Sequence, residues 1–174
     1  MLIRPATLEA PDLDVIVHHR RAMFHEMGYG DTEALDVMSA RFRPWLLRKM
    51  ESGEYLGWFA LTADSSIAAG LGLWLMNWPP HLVSVGRWRG NILNVYTEAA
   101  QRRIGIARGL MAIALDWCAA HDVDAVILHA SAEGRGLYES LGFEATNENA
   151  VGSARRVAGC HYCADRRAGQ RIYH

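Results

Sequence analysis

The chain has 174 residues, 51% hydrophobic and 21% charged, with 18 Lys and Arg against 19 Asp and Glu for a net charge of −1. That length and balance suit one domain with its own core. They exclude a disordered chain and one whose overall charge recruits nucleic acid or an acidic surface, so any anion-binding site has to be local.

The opening residues MLIRPATLEAPDLD break into charge and proline too soon for a signal peptide or membrane span, which sets a cytoplasmic expectation with no membrane association. LIRPAT at 2–7 reads as a short strand that Pro5 confines to an edge or an end. Pro11-Asp12 opens a helix with Leu13, Val17, Met23 and Met27 at near-helical spacing, stopped by Gly28 and Gly30. Asp31 or Thr32 caps a second helix, whose stripe runs Leu35, Met38, Phe42, Leu46 and Met50 up to Gly53, with Pro44 a kink point. YLGWFALTAD and SIAAGLGLWLMNW form a hairpin about the Ala63 to Ser66 turn. Pro79-Pro80-His81 and the segment from Gly86 to Gly90 read as loop, and NILNVYT as a largely apolar, hence central, strand.

A helix over 105–121 follows, with Leu110, Ile113, Ala114, Trp117 and Cys118 on one face. AVILHA at 125–130 is then a buried strand, and the strand-helix-strand order requires these two strands to be parallel. A short helix from about Glu133 to Leu141 ends at Gly142. The three cysteines, Cys118, Cys160 and Cys163, are too few and too ill placed for a disulfide framework.

The stretch QRRIGIARGLM at 101–111 carries the chemistry. First-turn N–H groups of a helix lack internal partners, and the helix dipole adds positive charge there, so a phosphate binds them directly. Gly105 and Ala107 leave those groups uncovered, while Arg102, Arg103 and Arg108 flank them. No Lys-Ser or Lys-Thr follows, which excludes a P-loop. The glycine spacing and the absence of an acid ending the next strand argue against a dinucleotide fold.

Arg102-Arg103-Ile104-Gly105-Ile106-Ala107 resembles the pyrophosphate motif of the GNAT superfamily of N-acetyltransferases: Arg or Gln, two residues, Gly, one residue, Gly or Ala. Leu137-Tyr138-Glu139-Ser140-Leu141-Gly142-Phe143 is similar to the Leu-Tyr ending of the same family, in the expected place after the following strand. The order of elements from Leu2 to about Phe143 fits as well. The resemblance implies an α/β fold with a GNAT-like mixed central β-sheet, splayed at a β-bulge and flanked by helices on both faces. It also sets a domain over 1–148, a C-terminal tail over 149–174, and acetyl-CoA as co-substrate without a metal.

It further implies attack of a free amine on the thioester. Asn94, Val95, Tyr96 and Thr97 match the segment that pairs with the pantetheine arm, and an N–H near Val95 or Tyr96 would hold the thioester oxygen. Arg102, Arg103, Ile104, Gly105, Ile106, Ala107 and Arg108 would hold the pyrophosphate. Tyr138 matches the tyrosine that protonates the leaving thiolate, a role its phenol suits by staying protonated at neutral pH. Relatives often carry the base where Leu93 and Asn91 stand here, so Glu98 becomes the candidate, alongside a water chain or an amine that arrives neutral. Ser131 replaces an asparagine that contacts the coenzyme arm. Members of the family are commonly dimers, so a homodimer is the implied assembly.

The acceptor, a small-molecule or peptide amine, is expected between the first two helices and the hairpin loop. Trp74, Trp78 and His81, with Pro79, Pro80 and Trp88, are the candidate walls. Glu26 and Asp36 are carboxylates that could meet a cationic acceptor, although two such residues on long helices suit an exposed face. His129 is expected to be satisfied in the core. The tail mixes five arginines with Cys160-His161-Tyr162-Cys163 and His174. A single C-x-x-C without its partner pair falls short of a zinc site. With no RNA-binding motif beside the arginines, nucleic acid is disfavoured as a partner. Two other readings stay open from the sequence: a non-catalytic acyl-CoA-binding protein on the same fold, and an adaptor working through the basic tail.

Overall fold

A computed structural model describes residues 1–80, 86–123 and 125–146. Strand β1 (Leu2–Pro5) is tied to helix α1 (Ala10–Glu26) through Asp12. Its buried carboxylate accepts one bond from each terminal nitrogen of Arg4, both at 2.7 Å, and a third from the Thr7 N–H at 2.8 Å. The bonds from Arg4, then those from Thr7, hold the Asp12 carboxyl down at about 2 against the opposing effect of burial. The clamp fixes where α1 starts and which face it turns to the sheet.

Helix α2 (Thr32–Glu51) runs through Pro44, and Asp31 caps it by accepting the Ala34 N–H at 2.9 Å. Strands β2 (Tyr55–Leu61) and β3 (Ile67–Asn77) form the expected hairpin. Strand β4 (Trp88–Thr97) starts within the segment expected to be loop, because Trp88, Arg89 and Gly90 pair with Asn77, Met76 and Leu75. Helix α3 (Ile106–Ala120), strand β5 (Ala125–Leu128) and the short helix α4 (Arg135–Glu139) complete the described elements. Helix α4 is shorter than its sequence pattern suggested, and β5 is half-buried rather than buried.

The sheet runs β1-β2-β3-β4-β5, antiparallel except for the parallel pair β4 and β5. Its mixed character follows from α3, which carries the chain back over one face between the last two strands. That face packs Leu71, Leu73, Leu75 and Ile92 against Leu110, Met111, Ala114 and Cys118 of α3. The opposite face packs Tyr55 and Phe59 against Leu13 and Ile16 of α1 and Phe42 and Leu46 of α2. Helices therefore cover both faces, as expected.

The buried stripe of α1 differs from its sequence reading. It consists of Asp12, Leu13, Ile16 and His19, and Met27 is exposed. Polar groups take the inner face because β3 leaves room for them. A Cβ at Gly72 would fall 2.0 Å from the Tyr55 hydroxyl, and one at Gly70 would fall 2.7 Å from His19 Nδ1. No helix among the described residues is long and apolar enough to cross a membrane.

Candidate active site

Strand β4 is irregular where the chemistry is expected. Gly72 pairs with Leu93 and Gly70 with Tyr96, so Leu71 alone stands opposite Asn94 and Val95. This is a β-bulge, and Asn94 takes the left-handed φ of 56° that admits the extra residue. Parallel pairing with β5 stops at Ile92 and Leu128. Past that point, among the described residues, Leu93 to Thr97 have no partner on the β5 side. Two diverging parallel strands leave a slot whose β4 wall can pair with an extended ligand.

The slot leads into the N-terminus of α3. Gly105 is the N-cap with φ 85°, offers no side chain to the first-turn N–H groups, and has open space where a Cβ would stand. Arg103 is also left-handed, with φ 64°. Arg103, Ile104 and Arg108 are exposed, Ala107 is half-buried, and Ile106 anchors the turn in the core. An anion at this end would meet uncapped N–H groups, the helix dipole and exposed guanidinium groups.

Arg102 is held in a defined position. Its Nη2 lies 2.7 Å from both Glu26 oxygens, and its Nε donates to the Thr97 carbonyl at 2.8 Å. The Tyr96 hydroxyl donates to the same Glu26 at 3.0 Å. Hydrogen bonds from Arg102 and Tyr96 lower the Glu26 pKa, and donating to Glu26 raises that of Arg102. Glu26 and Asp36, considered for a cationic acceptor, are thus engaged internally, Asp36 by Arg21 at 2.8 Å.

Glu98 follows the strand directly and is 38% exposed. His19 Nε2 lies 3.6 Å and His18 Nε2 3.8 Å from its Oε1. Burial, with a smaller repulsion from His18, pushes His19 down to about 4, so its ring is neutral at pH 7. Next to it, Asn94 accepts from Arg20 at 2.8 Å and donates to the Tyr55 hydroxyl at 3.1 Å. The sequence reading passed over His18, His19 and Arg20. Their signal was the run His18-His19-Arg20-Arg21 set within a helix whose apolar spacing continues on either side.

Tyr138 lies on α4, half-buried, with its ring edge-on to Phe143 and closely backed by Gly134. Burial raises its pKa, which keeps the phenol protonated. Ser131 Oγ accepts the Gly134 N–H at 3.1 Å and so helps fix the entry to α4. Arg108 reaches Ser140 at 2.6 Å and links α3 to α4. Of the candidate walls, Trp74 packs edge-on to Trp45 at 5.3 Å, while the 40% exposed Trp78 stacks with Arg89 at 4.5 Å. Leu93 packs in the α1 and α2 core, and Asn91 pairs with Trp74.

His129 is exposed just past β5 rather than satisfied in the core, because the strand ends at Leu128. His81 and the tail cysteines lie outside the described residues, among which no group of three or more His, Cys, Asp or Glu could hold a metal. Buried Cys118 is pushed up to about 11 by desolvation, which makes it a packing thiol.

The acetyltransferase (GNAT) domain profile matches residues 46–157. A GCN5-related N-acetyltransferase from Ralstonia eutropha JMP134 is 35% identical, over 87% of this chain and 97% of its own, with a TM-score of 0.80. A predicted acetyltransferase from Clostridium acetobutylicum, solved with acetyl-CoA, is 24% identical over 86% and 94%, with a TM-score of 0.75. Glucosamine-6-phosphate N-acetyltransferase from Arabidopsis thaliana has a similar fold at 14% identity, over 87% and 98%, with a TM-score of 0.59. No curated protein matches the chain.

Proposed function

The chain belongs to the GNAT acetyltransferase family and is an acetyl-CoA-dependent acetyltransferase; from that premise we propose that it acetylates a primary amine of a small molecule or peptide by direct attack. Acetyl-CoA supplies the activated thioester. The observation that carries the reading is the succession of two features: the β4 stretch past Ile92 without a β5 partner among the described residues, and the uncapped helix start at Gly105, reached through the short turn Ala99–Gln101. A thioester arm fits the first and a diphosphate the second.

The residues then divide the work. First-turn N–H groups from Ile106 to Arg108 bind phosphate oxygens, with Arg102, Arg103 and Arg108 balancing charge around Gly105 and Ile104. The backbone of Val95, Tyr96 and Thr97 holds the arm, and an N–H of Val95 or Tyr96 donates to the thioester oxygen. Ser131 keeps its O–H proton free to donate to the arm. Glu98 accepts a proton from the incoming ammonium, with neutral His19 beside it. Tyr138 donates its proton to the departing sulfur. Trp74, Trp78 and His81 border the acceptor.

The catalytic domain takes in residues 1–148, with 149–174 a tail, and works in the cytoplasm as a homodimer. Release of free thiol from acetyl-CoA, followed with a panel of primary amines, tests the reading. Amine-dependent release above the rate of water alone supports it. A protein that binds acetyl-CoA yet acetylates no amine would instead be an acyl-CoA-binding member of the family.

A further inference from the structure

Arg20 sits on the inner side of α1 with its guanidinium 4.9 Å from the Phe24 ring centre and 4.6 Å from that of Phe42. One terminal nitrogen donates to Asn94 at 2.8 Å, but Nε is buried and, among the described residues, has no hydrogen-bond partner and no carboxylate pairs with the guanidinium. Burial lowers its pKa, as expected of a cation short of compensation. A buried charge is ordinarily paired, because rings and a neutral amide recover only part of its lost hydration.

A second orphan stands on the same face of the sheet. The Trp74 indole N–H is buried and also without a partner. Tyr55 joins the two. It pairs in register with Trp74, packs edge-on to Trp45, and takes the Asn94 side-chain N–H on its hydroxyl. Two unanswered donors thus lie within one side chain of Tyr55. Asn94, at the bulge where the thioester arm is read to lie, accepts from the Nη1 of Arg20 and leaves the Arg20 Nε unanswered.

We infer that the acceptor amine carries a carboxylate, as a free amino acid does, and that Arg20 with the Trp74 N–H receives it on the α1 side of the bulge. The inference rests on the acetyltransferase reading. A monoanion fits better than a phosphate, because the charge there is that of Arg20, set among neutral Asn94, Phe24 and Phe42. A phosphate dianion would leave a buried negative charge uncompensated. Phe24, Phe42 and Trp45 provide the apolar surroundings in which such a pair is strongest.

The test uses matched sets of amines: free amino acids, their amides and their decarboxylated amines, with O-phosphoethanolamine as the phosphate arm, assayed by thiol release on the full chain. The acids should exceed their amides in kcat/KM by at least about tenfold. Arg20→Met should erase that preference while leaving the acetyl-CoA KM within about twofold. Should Arg20→Met not fold, Trp74→Phe, which removes the N–H, should cut the preference by about threefold.

Equal rates on acids and amides, a preference for O-phosphoethanolamine, or a preference that survives Arg20→Met would overturn this inference and leave the acetyltransferase reading standing. Absence of acetyl-CoA binding would overturn both.

Discussion

Arg102 and Glu26, separated by 76 positions, meet with Arg102 Nη2 2.7 Å from both carboxylate oxygens, and so join the turn before α3 to the end of α1. The pair is 40% and 43% exposed, which limits its worth to stability to about 1 kcal/mol or less. Its larger effect is on charge, since under the proposed function Glu26 would compete with a diphosphate for the same guanidinium. Glu26→Gln is therefore expected to tighten acetyl-CoA binding by about threefold and Arg102→Ala to weaken it by about tenfold, both read by calorimetry. Tighter binding in Arg102→Ala would remove that residue from the coenzyme site.

At Gly105 the backbone has φ 85°, which costs a side chain about 1–2 kcal/mol. Gly105→Val adds to that strain a group standing over the helix start. Acetyl-CoA affinity should fall by about tenfold or more, beyond what the loss of stability accounts for. A valine variant that binds normally would move the diphosphate elsewhere.

In the proposed mechanism Tyr138 acts late, on the departing sulfur. Tyr138→Phe keeps the ring against Phe143 and removes only the hydroxyl, and with it the proton to be donated. The expected result is a fall in kcat of about a hundredfold with acetyl-CoA affinity unchanged, measured by thiol release and calorimetry in parallel.

In the proposed mechanism Glu98 acts on the amine as it enters. Glu98→Gln should lower kcat/KM by about a hundredfold near neutral pH and abolish the acid limb of the pH–rate profile. With the wild-type profile retained, a water chain or an amine already neutral in solution takes over the role.

His19 makes stability depend on pH. Its folded pKa of about 4 lies below its ordinary 6.5, so the unfolded chain binds the extra proton between those values. The stabilisation is complete above pH 6.5 and is lost as pH falls towards 4, by about 1.4 kcal/mol per unit. Urea unfolding at pH 7 and pH 5 measures the slope, and His19→Gln should flatten it.

How much of this the residues announce depends on how far apart they are. The strand, turn and helix from Asn91 to Ala120 are legible because their determinants are local: an apolar strand, a glycine that takes a left-handed φ, and a helical stripe. Leu137 to Phe143 is legible for the same reason. Periodicity misplaced the inner stripe of α1, since it scores apolar residues and the helix buries Asp12 and His19. Those two are admitted by Arg4 on β1 and by Gly70 on β3, neither of them near in sequence.

By itself the sequence determined the fold class, the left-handed turn at Gly105 and the short helix that carries Tyr138, since each is set by backbone conformations that a few adjacent residues impose. Tertiary structure alone decided that Arg102 would meet Glu26, that Asn94 would bridge Arg20 to Tyr55, and that one nitrogen each of half-buried Arg20 and Trp74 would be enclosed without a partner among the described residues. The reason is that burial and pairing belong to surfaces brought together by folding. A side chain carries its charge in the sequence, but whether that charge is answered depends on the neighbours that α1, α2 and the bulged strand place around it.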